Sequence, residues 1–284
     1  MIDALLDAGI DGIRLIPFLF LTYLAMGVLE KAAGSKAQEA IRDAGKVGPL
    51  WGGILGAFPQ CGFSAAASNF YVGRMITLGT LISIYLSTSD EMLPIFISEH
   101  VAFSTIVKIL GAKVLIGMVT GFAVELFFGW LSRKNKKPVD FNLEAHFCGC
   151  SCGSGVFVSA VIHTLKVFVF IFIVSFAINY IIGIIGEEAL YLLFSDVPVL
   201  GELIASLVGL IPNCAASVVV TQLYLDGIIG SGPMMSGLLA SAGIGLLVLF
   251  KENHNFKENI SIVAILYTVS VIWGVIIEAL GISF

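Results

Sequence analysis

Apolar runs close to 20 residues long, with few charges, recur along this chain and fill most of it, at roughly 13–30, 76–97, 106–131, 157–185, 228–249 and 259–280. A helix needs ~20 such residues to cross a ~30 Å hydrocarbon core. Charged residues make up 12% of the chain and hydrophobic ones 58%, whereas water-soluble domains carry ~25% charge. Soluble enzyme classes are therefore not expected, and an all-α polytopic membrane protein is. The runs lack the alternation of a transmembrane barrel, and 31 glycines suit helices packed closely in lipid. Residues 1–13 carry Asp3, Asp7 and Asp11 in place of a basic leader, so no removable signal peptide is expected.

Two further apolar stretches, about 47–72 and 199–225, are interrupted by Phe58-Pro59-Gln60-Cys61 and Ile211-Pro212-Asn213-Cys214. Proline removes an amide donor and pushes the preceding residue out of the helical region, so each stretch should break there. A shift of 153 residues lays the first stretch on the second without a gap, from Gly48 on Gly201 to Glu125 on Glu278, with 17 of 78 positions identical. Both prolines, both cysteines and both glutamates fall in register. The chain is an internal duplication: residues 1–138 form one membrane repeat, 139–156 a Cys/His-rich linker and 157–284 a second repeat.

The basic residues orient the duplication. If each interrupted stretch enters and leaves on one face, Lys31, Lys36, Arg42, Lys46, Arg74, Arg133, Lys134, Lys136, Lys137, Lys251 and Lys257 share a side, which the positive-inside rule makes cytoplasmic. If the stretches crossed fully, the basic loops 31–46 and 133–137 would fall on opposite faces, against that rule. Each arm has ~12 residues, about 18 Å of helix, enough to reach the midplane but not to cross. The expected architecture is an inverted-topology repeat in the cytoplasmic membrane. Each half has three spanning helices and one re-entrant helical hairpin, ten helices if hairpin arms are counted. The linker is then cytoplasmic and both termini lie outside. Broken backbone at membrane depth is tolerated where protein or a water-filled cavity surrounds it, and in secondary transporters that place is the substrate site.

The hairpin tips offer Gln60, Cys61, Ser64, Ser68 and Asn69 from the first half and Asn213, Cys214, Ser217, Thr221 and Gln222 from the second. On a helix that starts at the break, the cysteine and the residues three and seven places on lie along one face, so one polar stripe would line a pathway. The alternative is that small residues let the hairpins pack, with hydroxyls bonded back to their own helix. With no carboxylate at either tip, a soft thiophilic species, a neutral solute or an anion fits better than a hard dication. A cysteine at a helix N-terminus has its thiol pKa lowered, which favours the metal-binding thiolate.

Glu125 and Glu278 are matched acids inside spans and are candidates for ion coupling. Lys108, Lys113 and Lys166, also in or beside spans, either pair with these acids or, as the commoner case, snorkel. In the linker, His146, Cys148, Cys150 and Cys152 can converge on a soft ion such as Zn, Cu or As(III). No other cofactor is required. The expected partners are a small inorganic ion or small solute and the lipid bilayer, with a homodimer allowed and no nucleic acid.

A duplicated Pro-x-Cys element in membrane hairpins with a Cys/His-rich central loop resembles the ArsP-like ten-transmembrane heavy-metal and metalloid exporter family, whose members are also labelled manganese transporters. The resemblance covers essentially the whole chain. It implies efflux of a metal or metalloid, with Cys61 and Cys214 in the pathway and the loop thiols capturing or sensing substrate. The alternatives are uptake of a small sulfur-containing or other anion and, less favoured for want of a general base beside the thiols, a membrane thiol redox enzyme. The primary expectation is a permease, not an enzyme.

Overall fold

In the computed structural model the described residues are 47–57, 61–89, 92–135, 200–212, 214–282 and 284, with separate positions within 16–24 and 157–176. Proline, glycine and short hydroxyl residues set where the helices start and stop. Helix α1 (Gly48–Gly56) carries a proline in its first turn, where a missing amide costs nothing. It is followed by α2 (Cys61–Val72), α3 (Leu78–Ser87), α4 (Met92–Ser98) and α5 (Phe103–Asn135). The C-terminal part holds α6 (Leu200–Gly209), α7 (Cys214–Leu225), α8 (Ser231–Ala240), α9 (Ile244–Glu252) and α10 (Phe256–Ala279). Every regular element among the described residues is a helix.

The second set of helices restates the first at the offset read from the sequence. Cys61 and Cys214, Leu78 and Ser231, and Phe103 and Phe256 each open corresponding helices. The likeness extends to single bonds. Ser83 Oγ donates to Pro49 O at 2.7 Å and its counterpart Ser236 Oγ to Glu202 O at 2.9 Å, which ties α3 to α1 and α8 to α6. Both α2 and α7 end in the same reverse turn: Met75 N–H reaches Phe70 O, Ile228 N–H reaches Leu223 O, and Arg74 (φ 59°) and Gly227 (φ 71°) take the left-handed position.

Packing follows the same scheme. Helices α1, α3 and α5 pack on one another, as do α6, α8 and α10. Glycines allow the close approach. A Cβ on Gly56 would stand 2.6 Å from Ile84 O, and one on Gly209 2.2 Å from Gly237 O, the residue equivalent to Ile84. The parts interlock reciprocally: α2 lies on α9 and α7 on α4, the equivalent pair with the repeats exchanged. Trp273 Nε1 donates to Thr120 Oγ1 at 3.1 Å, and these two residues are themselves counterparts.

Three described segments are long and apolar enough to cross a membrane: Phe103–Trp130, Ser231–Glu252 and Phe256–Ala279. The first and last expose large apolar side chains such as Phe103, Leu115, Leu126, Trp130 and Ile272. Ser231–Glu252 is 89% buried against 39% and 28% for the other two, so it runs through protein. One expectation needs correction here. The run 228–249 overlaps the candidate span Ser231–Glu252 but is not one continuous helix, since α8 ends at Ala240 and α9 begins at Ile244; in the run 76–97, α3 ends at Ser87 and α4 begins at Met92. Gly243, at φ 55° and ψ −141°, takes a backbone shape essentially restricted to glycine and opens α9. At the equivalent break Thr88 turns to φ −56°, ψ 131° while its hydroxyl donates back to Ile84 O.

Candidate functional site

Both Pro-x-Cys elements lie where a helix ends and the next begins, α1 to α2 and α6 to α7. Cys61 and Cys214 are the first residues of α2 and α7; their side chains, with Gln60 and Asn213, lie outside the described residues. So do His146, Cys148, Cys150 and Cys152 of the linker and Lys166. What is described is the wall behind the tips. Ser64, Ser68 and Asn69 on α2 are buried, as are Ser217 and Thr221 on α7. Gln222 is half-buried and its amide donates to Asp226 Oδ1 at 3.3 Å.

The polar stripe forms, but it is occupied with packing. Ser68 Oγ shares its proton between Ser64 O at 2.8 Å, one turn back, and Gly245 O at 2.7 Å on α9. It also sits 2.7 Å from Tyr85 Oη on α3, which itself donates to Gly245 O at 3.2 Å. On α7 the equivalent Thr221 Oγ1 donates to Ser217 O at 2.7 Å. A Cβ on Gly245 would stand 2.9 Å from Ser64 O, so α9 closes directly over the stripe of α2. The stripe therefore serves as a seam between repeats in this conformation, with the back-bonding expected of small residues at helix contacts.

The two glutamates differ. Glu278 Oε2 accepts the Gly232 backbone N–H at 2.9 Å, inside the first turn of α8, so its negative charge meets free amides and the positive end of the helix dipole. Glu125 approaches α3 in the same way, and a Cβ on Gly79 would be 2.6 Å from its Oε2. That oxygen is buried and receives no hydrogen bond. One carboxylate caps a helix; its equivalent is held against one without a donor.

Lys113 is the residue the sequence misrepresents. Snorkelling is the expectation, whereas Lys113 is 1% exposed. Its Nζ donates to Thr88 O, at the end of α3, and to Leu238 O at 3.1 Å in the last turn of α8. Lys108, by contrast, is exposed as expected. The sequence offered no signal: the equivalent of Lys113 is Leu266, and a leucine suits lipid and protein alike, whereas the structure buries both residues. Among the described residues no three His, Cys, Asp or Glu side chains converge on a point. The described part thus presents two linked helix breaks per repeat, hydroxyl and carbonyl oxygens between them, one buried cation and one unsatisfied carboxylate oxygen. Compared with known proteins, the chain matches no family model, no curated protein and no solved structure.

Proposed function

We propose that this chain is a secondary transporter of the cytoplasmic membrane that exports a soft metal or metalloid ion, in the manner of the ArsP-like exporters it resembles. The observation that carries the reading is the reciprocal interlock. Helix α2, which starts at Cys61, packs on a broken helix of the other repeat, and α7, which starts at Cys214, does the same in return. Paired discontinuous helices around a two-fold relation are how alternating-access carriers build a central site. In this reading α1–α2 and α6–α7 are re-entrant hairpins of inverted repeats, one dipping from the cytoplasm and one from outside, and the linker delivers the ion from the cytoplasm. Glu125, which has an unsatisfied buried oxygen, and Glu278, which holds α8, are the two candidates for ion coupling. A Glu125→Gln protein should transport with an altered pH dependence; an unchanged profile would remove Glu125 from the mechanism.

The test is calorimetry on detergent-purified protein with As(III), Zn(II), Cu(I), Mn(II) and thiosulfate. Wild type is compared with a Cys61→Ala, Cys214→Ala variant and a Cys148→Ala, Cys150→Ala, Cys152→Ala variant. The reading expects a soft ion to bind at two separable places, with each variant losing one. Binding at the linker alone would refute a thiol pathway. A second reading, uptake of a small anion, rests on α2 and α7 both beginning at the break, which puts the positive end of a helix dipole at each tip. Thiosulfate binding that survives loss of Cys61 and Cys214 would favour it.

A further inference from the structure

A lysine ammonium with 1% exposure inside an apolar helix is a costly charge, and its described partners point to what it does. Among the partners of Lys113 Nζ are two backbone carbonyls: Leu238 O in the last turn of α8, and Thr88 O, one residue past α3 where the backbone has turned out of the helix. The last carbonyls of a helix have no intrahelical donor and carry the negative end of its dipole. At Leu238 the loss is visible: the amide four residues on, Ala242 N–H, turns away to Ala240 O at 2.9 Å. The two ends are equivalent in the duplication and both stand at the breaks that follow α3 and α8. Only one repeat supplies a cation, since the equivalent of Lys113 is the buried Leu266. Among the described residues one ammonium reaches both breaks.

Carbonyl oxygens of two broken-helix ends, facing one positive charge, are the donor set by which discontinuous helices hold a free coupling cation such as Na⁺. We propose that the two helix ends form a monovalent-cation site permanently filled by the chain's own Lys113, so that the contact between α3 and α8 needs no free Na⁺ or K⁺. The inference concerns how the two breaks are held together and stands whichever solute the chain moves.

Thermal unfolding of the purified full chain, followed by tryptophan fluorescence at constant ionic strength in NaCl, KCl, methylammonium chloride or N-methylglucamine chloride, tests it. Wild type should unfold at one temperature in all four salts. Lys113→Ala should unfold several degrees lower in N-methylglucamine and recover in a saturable way with Na⁺, K⁺ or methylammonium. Lys113→Gln, which keeps amide donors and bulk without charge, should fall and not recover. The proposal is overturned if Lys113→Ala equals wild type or responds alike to all salts, if Lys113→Gln is as stable as wild type, or if wild type shows the same saturable cation dependence. Should Lys113→Ala yield no folded protein, the yields of Lys113→Arg and Lys113→Gln decide. The proposal expects Arg near wild type and Gln far below, and equal yields or the reverse order overturn it.

Discussion

At the scale of single residues, the helix contacts are made by groups with almost no side chain, and the cost of change there is set by how near the backbone lies. Gly209 has Gly237 O 2.2 Å from where a Cβ would be, while Gly111 has nothing within 4 Å. Gly209→Ala should therefore sharply lower the yield of monodisperse protein in fluorescence-detected size exclusion. Gly111→Ala, on an open helix face, should be neutral or gain up to the ~1 kcal/mol difference in helix propensity. The paired serines test the same seam through hydrogen bonds. Ser83→Ala and Ser236→Ala each remove a donor to the facing helix, and each should cost about 0.6–1 kcal/mol, read as a small, nearly additive fall in unfolding temperature. Glu278→Gln retains an acceptor for the Gly232 amide and should fold. Glu278→Leu should lose the ~0.3–1 kcal/mol of a helix N-terminal charge.

At the scale of elements, the breaks matter more than the helices. The Pro-x-Cys interruptions were legible because proline disrupts a helix by removing a donor and clashing with the turn before it. The interruptions after α3 and α8 were not, because both sit inside apolar runs that look long enough to cross. Thr88 and Ser241 are ordinary residues in a membrane helix; only the backbone shows them leaving it. Gly243 is the exception, since its φ of 55° with ψ −141° excludes other residues. Gly243→Ala should cost on the order of 1–3 kcal/mol and lower the unfolding temperature. An unchanged unfolding temperature would mean that α8 and α9 can run on as one helix. Lys113 escaped for a related reason: a long basic side chain near a span reads as one that reaches the surface, and its actual direction depends on carbonyls 25 and 125 residues away.

At the scale of the whole molecule, the reciprocal packing of α2 on α9 and α7 on α4 makes the repeats interdependent, so that neither is expected to fold alone. If the repeats are inverted, equivalent positions face opposite sides of the membrane. Met75→Cys, just after α2, should then react with an impermeant maleimide only from the cytoplasm. Ile228→Cys, its equivalent after α7, should react only from outside, the native cysteines having been replaced. Labelling from the same side would mean parallel repeats. The sequence by itself determined that the chain is helical and apolar enough for membranes, and that helices break at the two Pro-x-Cys elements, with α2 and α7 opening at Cys61 and Cys214. Apolar run length, proline and glycine are local causes whose effects stay local. The tertiary structure alone decided that the polar stripe of α2 is covered by α9, that Glu278 caps α8 while Glu125 lacks a donor, and that Lys113 joins two broken helices. The physical reason is that a buried polar group is defined by its partner, and the partners here come from distant segments brought together only when the two repeats interlock.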